Sequence, residues 1–158
     1  MADSTTVASA PLREALSRHP FFSDLTAERL DRLTACARLR EIAAGEILFH
    51  QGGDADRFFV LTRGSVRVES RTNGRARVLQ TLHEGDVLGW SWLTPPFRWA
   101  FDARAAAPIQ VVEVAVGPLR EAFAADGAFG YAIVGRFAGV MGQRLRAAHM
   151  QMLEQDDG

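Results

Sequence analysis

Between about Arg38 and Val116 the chain is cut by turn residues into apolar runs too short for helices, and this punctuation limits the fold more than any other feature of its 158 residues. The runs EILFHQ, RFFVLTR, SVRVES, RVLQTL, DVLG and IQVVEVAV are separated by Ala44-Gly45, Gly52-Gly53, Arg63-Gly64, Asn73-Gly74 and Glu84-Gly85-Asp86. Asn-Gly between two alternating runs is the strongest local hairpin signal, because both residues tolerate the positive φ of a type I′ turn. Val66 and Val68, alternating with Arg67 and Glu69, have the two-residue period of a half-buried strand. Short strands at this spacing predict an antiparallel barrel, roll or sandwich.

The flanks have a different period. Residues 1–11 hold little to bury and are expected to form a mobile tail. Residues 12–37 read as helical, with Thr26 as an N-cap, Leu30 and Leu33 on one face, and Phe21-Phe22 buried just before it. After Pro118 the pattern is helical again to about Gln155, as a short helix over 119–125, a break at Asp126-Gly127, and a long helix. On the long helix Ile133, Phe137, Met141, Leu145, Ala148 and Met152 recur three or four residues apart, one apolar face. Ala128, Ala132, Gly135, Gly139 and Gly142 form a second stripe of small residues on nearly the opposite side. One stripe is expected to pack on the β region and the other on a second copy of the chain; equally, the glycines merely interrupt the helix. The fold class is therefore α+β, a single domain over 12–155, with N-terminal helices (12–37), an antiparallel β-roll (38–116) and C-terminal helices (118–155).

Composition removes several functions. The chain is 47% hydrophobic and 23% charged, which suits a globular domain, and its net charge of -1 does not suit a coat for nucleic acid or an acidic membrane. No apolar run reaches the length of a membrane helix and the N-terminus lacks a secretory pattern, so a cytoplasmic location is expected. The lone Cys36 reads as a small buried hydrophobe. Arg67, Arg71, Arg75 and Arg77 read as a solvated hairpin rather than an anion patch. His19, His50, His83 and His149 include no HxH pair with a nearby carboxylate, and the chain has no GxSxG, P-loop, CxxC or HExxH motif. No catalytic residue and no metal site is expected.

The stretch AAGEILFHQGGDADRFFVLTRGSVRVES followed by LHEGDVLGWSWL resembles the cyclic nucleotide-binding domain family, the sensor module of catabolite-activator-type regulators. The matching positions are Gly45, Gly52, Asp56, Phe59, Gly64, Gly85 and Gly89, and the likeness spans roughly Phe21 to Gln155. The resemblance implies a ligand inside the roll, cAMP or cGMP in the family. It implies a short helix after the cassette glycine that offers N–H groups to the cyclic phosphate, an Arg pairing with that phosphate, and a Glu accepting from the ribose hydroxyl.

The cassette departs from that pattern. The family reads FGE(L/I)AL and, five residues on, R-(A/S/T)-A; here the stretch is Leu88-Gly89-Trp90-Ser91-Trp92-Leu93 and then Thr94-Pro95-Pro96-Phe97-Arg98-Trp99-Ala100-Phe101. Trp90 stands at the Glu position. Counted without a gap, Trp99 stands at the Arg position, and Arg104-Ala105 downstream agrees; a one-residue deletion would instead put Arg98 there. The candidate ligand-binding residues are therefore Gly89, Trp90, Ser91, Arg98, Trp99 and Ala100. The resemblance implies a non-catalytic sensor or regulatory domain in which cAMP or cGMP binding is compromised at Trp90 and Trp99. The alternative is a dimerisation or protein-interaction module whose pocket is plugged or altered. The expected partners are a second copy through the C-terminal helix, a small-molecule nucleotide and an unidentified protein. No DNA contact is expected, since no recognition helix fits after the long helix before Gly158.

Overall fold

A computed structural model describes residues 11–156. The expected tail at residues 1–10 lies outside the described residues, and residue 11 already belongs to a helix, α1, over residues 11–18. Next come a 3-10 turn (Pro20–Phe22) and α2 (Ala27–Ala35). Thr26 caps α2 as its sequence predicts, its hydroxyl accepting from the Arg29 N–H at 3.2 Å. Leu12, Leu16, Phe21, Phe22, Leu30 and Leu33 all turn into the core.

Eight strands follow: β1 (Ala37–Ile42), β2 (Ile47–Phe49), β3 (Arg57–Arg63), β4 (Val66–Thr72), β5 (Arg75–Leu82), β6 (Val87–Leu88), β7 (Asp102–Ala105) and β8 (Ile109–Ala115). They form two antiparallel four-stranded sheets, ordered β1-β8-β3-β6 and β2-β7-β4-β5. The predicted hairpin is present: Thr72 pairs with Arg75 across Asn73 (φ 55°) and Gly74 (φ 76°). Gly64 is fixed differently. Its φ is +90°, and a Cβ there would stand 2.7 Å from both Ile109 and the Pro108 carbonyl, so the β3–β4 turn excludes any side chain. Two strands went unread in the sequence. β1 overlaps the expected helical segment by Ala37 alone, but its residues ARLREI are not among the apolar runs read as strands, and β7 is Asp-Ala-Arg-Ala, which lacks strand-forming side chains but buries Ala103 and Ala105 completely.

The chain leaves the roll through α3 (Val116–Ala125) and α4 (Gly127–Asp156). Arg29 of α2 holds Asp126 at their junction, and the same carboxylate accepts from the Phe129 N–H. Phe129, Ile133 and Phe137 of α4 are buried, Phe137 edge-on to Phe21, Phe58 and Trp92. The apolar stripe read from the sequence splits at this point. Its first two residues pack on the roll, Met141 is half-buried, and Leu145, Ala148 and Met152 are exposed. With the exposed Tyr131, Val134 and Ala138, the latter four make a seam at alternating spacings of three and four, the pattern of a helix that meets another helix. The small-residue stripe stays open: a Cβ at Gly135 or Gly139 would meet nothing within 4 Å.

Candidate functional site

β6 is followed by Gly89, whose φ of +92° turns the chain toward a 3-10 turn (Ser91–Leu93). The segment then doubles back so that residues 97–99 run antiparallel to 52–55. Gly52 N–H donates to the Trp99 carbonyl (2.8 Å), Trp99 N–H to Gly53 (2.8 Å) and Ala55 N–H to Phe97 (2.9 Å). This pairing sets which side chain faces inward. Trp99 enters the roll, 4% exposed, its ring stacked on Phe49 with centroids 3.8 Å apart and planes 15° apart. Its six-membered ring lies against Gly89, with Cζ3 and Cη2 only 3.0 and 3.1 Å from where a Cβ would stand.

Arg98, one residue earlier, turns the other way. Its guanidinium is on the surface, 3.2 Å from Asp54 and 3.2 Å from the Gly52 carbonyl. Of the six candidate residues, Gly89, Trp90, Ser91, Trp99 and Ala100 line one cavity of about 750 Å³ and Arg98 does not. Ser91 is buried and its hydroxyl accepts from the Ala100 N–H at 3.3 Å, closing the loop rather than facing a ligand unengaged. Trp90 is a half-buried wall of the cavity. Trp92 belongs to the core, stacked on Phe58.

The rest of the cavity was not assigned from sequence. Phe49, Val68, Leu79, Gln80, Thr81, Leu88 and Phe101 complete it on the roll, and Met141, Gly142, Arg144, Leu145, Ala147, Ala148 and Gln151 of α4 cover it. The volume lies within the range of small-molecule sites, about 300–1,000 Å³. No carboxylate lines it, and Arg144 is its one charged wall residue. Arg144 is half-buried, donates to the Val87 carbonyl, and has its guanidinium pushed below its ordinary pKa by burial, against which the charge of Asp86 acts.

A second polar cluster lies on the outside of the β1-β8-β3 sheet. Glu113 is 5% exposed and is gripped by Arg38, by Arg57 at 2.6 Å and by Arg40 at 3.3 Å. Burial alone would raise its pKa, but the hydrogen bonds from Arg38 and Arg57 and the charges of Arg38 and Arg40 bring it below the ordinary range. Among the described residues, no group of three His, Cys, Asp or Glu side chains could hold a metal ion, and no helix is long and apolar enough to cross a membrane.

Helices on a two-sheet antiparallel roll, with a cavity covered by the last helix, are the architecture of cyclic nucleotide-binding-type regulatory domains. A sequence model described as the cyclic nucleotide-binding domain matches residues 39–126, and the chain belongs to that family. It is similar over 87% of its length, and over 98% of the other chain, to a candidate cyclic nucleotide-binding protein from Geobacter metallireducens GS-15, at 25% identity and a TM-score of 0.74. A cyclic nucleotide-binding domain from Methylobacillus flagellatus KT shares the fold at a TM-score of 0.77 and 16% identity, covering 93% of this chain and 83% of that one. The cGMP-dependent protein kinase egl-4 of Caenorhabditis briggsae is 30% identical over 76 residues, which are 47% of this chain and a tenth of the kinase.

Proposed function

We propose that this protein is a non-catalytic regulatory domain whose pocket does not take cAMP or cGMP in the family's manner, and that it works as a homodimer through α4. The observation that carries this reading is the seat of Trp99. The Cβ side of Gly89, the glycine that the family resemblance assigns to the phosphate, is covered by the Trp99 indole, which stacks on Phe49 while two hydrogen bonds hold the Trp99 backbone. The ribose position fares no better: Trp90 replaces the carboxylate and no acid lines the cavity. Losing a charged hydrogen bond to the ribose hydroxyl costs about 1.5–3 kcal/mol, roughly ten- to hundredfold in affinity. Arg98, the remaining route to a phosphate partner, is engaged by Asp54 and Gly52 outside the cavity. The cavity is reshaped rather than abolished, which favours an altered pocket over a plugged one. The exposed seam of α4 supports the dimer.

The test is the melting temperature in saturating cAMP and in cGMP. A ligand at a hundred times its Kd stabilises by about 2.7 kcal/mol. An unchanged melting temperature at millimolar nucleotide supports the reading; a rise of several degrees overturns it.

A further inference from the structure

The composition of the cavity wall identifies a kind of ligand. Trp90, Trp99, Phe49 and Phe101 bring aromatic rings to it and Leu79 and Met141 add aliphatic surface, so its interior favours a flat apolar body. Gln80, Thr81, Ser91 and Gln151 are the neutral polar side chains among the lining residues, and none of them is a carboxylate. One charge interrupts the apolar lining. Arg144 reaches the wall from α4, and among the described residues it forms no ion pair; its hydrogen bond goes to a neutral carbonyl. A partly desolvated guanidinium that makes no direct ion pair leaves donors that an anion in the cavity would complete. Arg144 also borders a neighbouring recess lined by Asp86 and Arg136; Arg136 donates to the Phe21 carbonyl, and the Asp86 charge acts on Arg144 without an ion-pair contact.

We infer that the cavity binds an aromatic carboxylic acid, its ring system between the indoles of Trp90 and Trp99 and the α4 side chains, and its carboxylate on Arg144. This deepens the reading above, on which it rests, by naming the ligand class of the same cavity. The planar carboxylate suits the guanidinium fork, and contacts to both the roll and α4 would make binding tighten the α4 roof. A ligand that bridges the two can shift α4 only by as much as it prefers the closed arrangement.

The probes are 2-naphthoate, its neutral isostere 2-naphthamide, and cAMP, titrated into the full chain by calorimetry with tryptophan fluorescence in parallel. The inference expects 2-naphthoate to bind at least about tenfold more tightly than the amide, the size of a charge-assisted hydrogen bond. Arg144→Gln should erase that preference while leaving amide binding intact. Ala147→Trp, at an exposed α4 position on the cavity wall, should block both naphthalenes without lowering the melting temperature. It supplies the answer should Arg144→Gln unfold. Equal binding of acid and amide, or binding that survives Ala147→Trp, overturns the inference. So does failure of both naphthalenes to bind, which leaves the exclusion of cyclic nucleotides standing. Micromolar binding of cAMP instead overturns the reading beneath it.

Discussion

Replacing Trp99 with alanine tests the packing that the whole functional reading rests on. The side chain is 4% exposed, stacks on Phe49, and fills the space that a Cβ at Gly89 or Gly53 would need. Removing a buried tryptophan costs about 3–5 kcal/mol, of which the stacked pair accounts for about 0.5–1.5. The void would open onto the existing cavity of about 750 Å³, where water can relax it, so the lower end, about 3 kcal/mol, is expected. At about 2–4 °C per kcal/mol for a chain of this size, the melting temperature should fall by roughly 6–12 °C. Urea unfolding followed by circular dichroism should show a lower midpoint with the same slope, since the exposed surface on unfolding hardly changes. Trp90→Ala is the internal control. It removes the same ring from the same loop, but from a half-buried wall, and should cost less than half as much. If the two variants lose equal stability, or Trp99→Ala loses under about 1 kcal/mol, Trp99 does not occupy the seat described and the reasoning fails.

Three further outcomes follow from other parts of the molecule. Glu113→Gln should destabilise by about 2–4 kcal/mol, because three guanidiniums lose the one carboxylate they share, less than for a wholly buried pair since the arginines reach solvent. Because the folded state depresses the Glu113 pKa, its contribution is full above the unfolded carboxylate pKa and is lost as pH falls through the folded value. Wild type should therefore weaken in acid below about pH 4.5 by more than the Gln variant does, as measured by denaturant midpoints across pH. Gly64→Ala should cost several kcal/mol and Gly45→Ala only about 1–2, although both have positive φ, because only Gly64 would drive its Cβ into Ile109 and Pro108. Val134→Glu, at an exposed position of the α4 seam away from the cavity, should keep the native circular dichroism spectrum and convert a dimeric mass to a monomeric one by light scattering; a monomeric wild type would remove the dimer from the account.

The roll was legible because its turns are written in residues that tolerate positive φ, and Asn73-Gly74 even gives the loop length. β7 was not, because Asp102-Ala-Arg-Ala forms a strand through small side chains buried between neighbours, a property of the sheet and not of the segment. On α4 the periodicity revealed an apolar face but not where the roll ends beneath it, so Phe137 and Leu145 read alike and lie in different surroundings. The choice between Arg98 and Trp99 was undecidable along the chain, since it depends on the pairing of residues 97–99 with 52–55, some 45 positions away. The arginines around Glu113 were hidden for the same reason: Arg38, Arg40 and Arg57 meet it only once β1, β3 and β8 are side by side.

Calorimetric titration of the wild-type protein with cAMP, repeated with cGMP, bears most directly on the claim that Trp90 and Trp99 have closed this pocket to the family's ligands. The account expects no saturable heat up to millimolar nucleotide. Saturable one-site binding at micromolar concentration would show that Trp99 yields its place to the phosphate, and would contradict it.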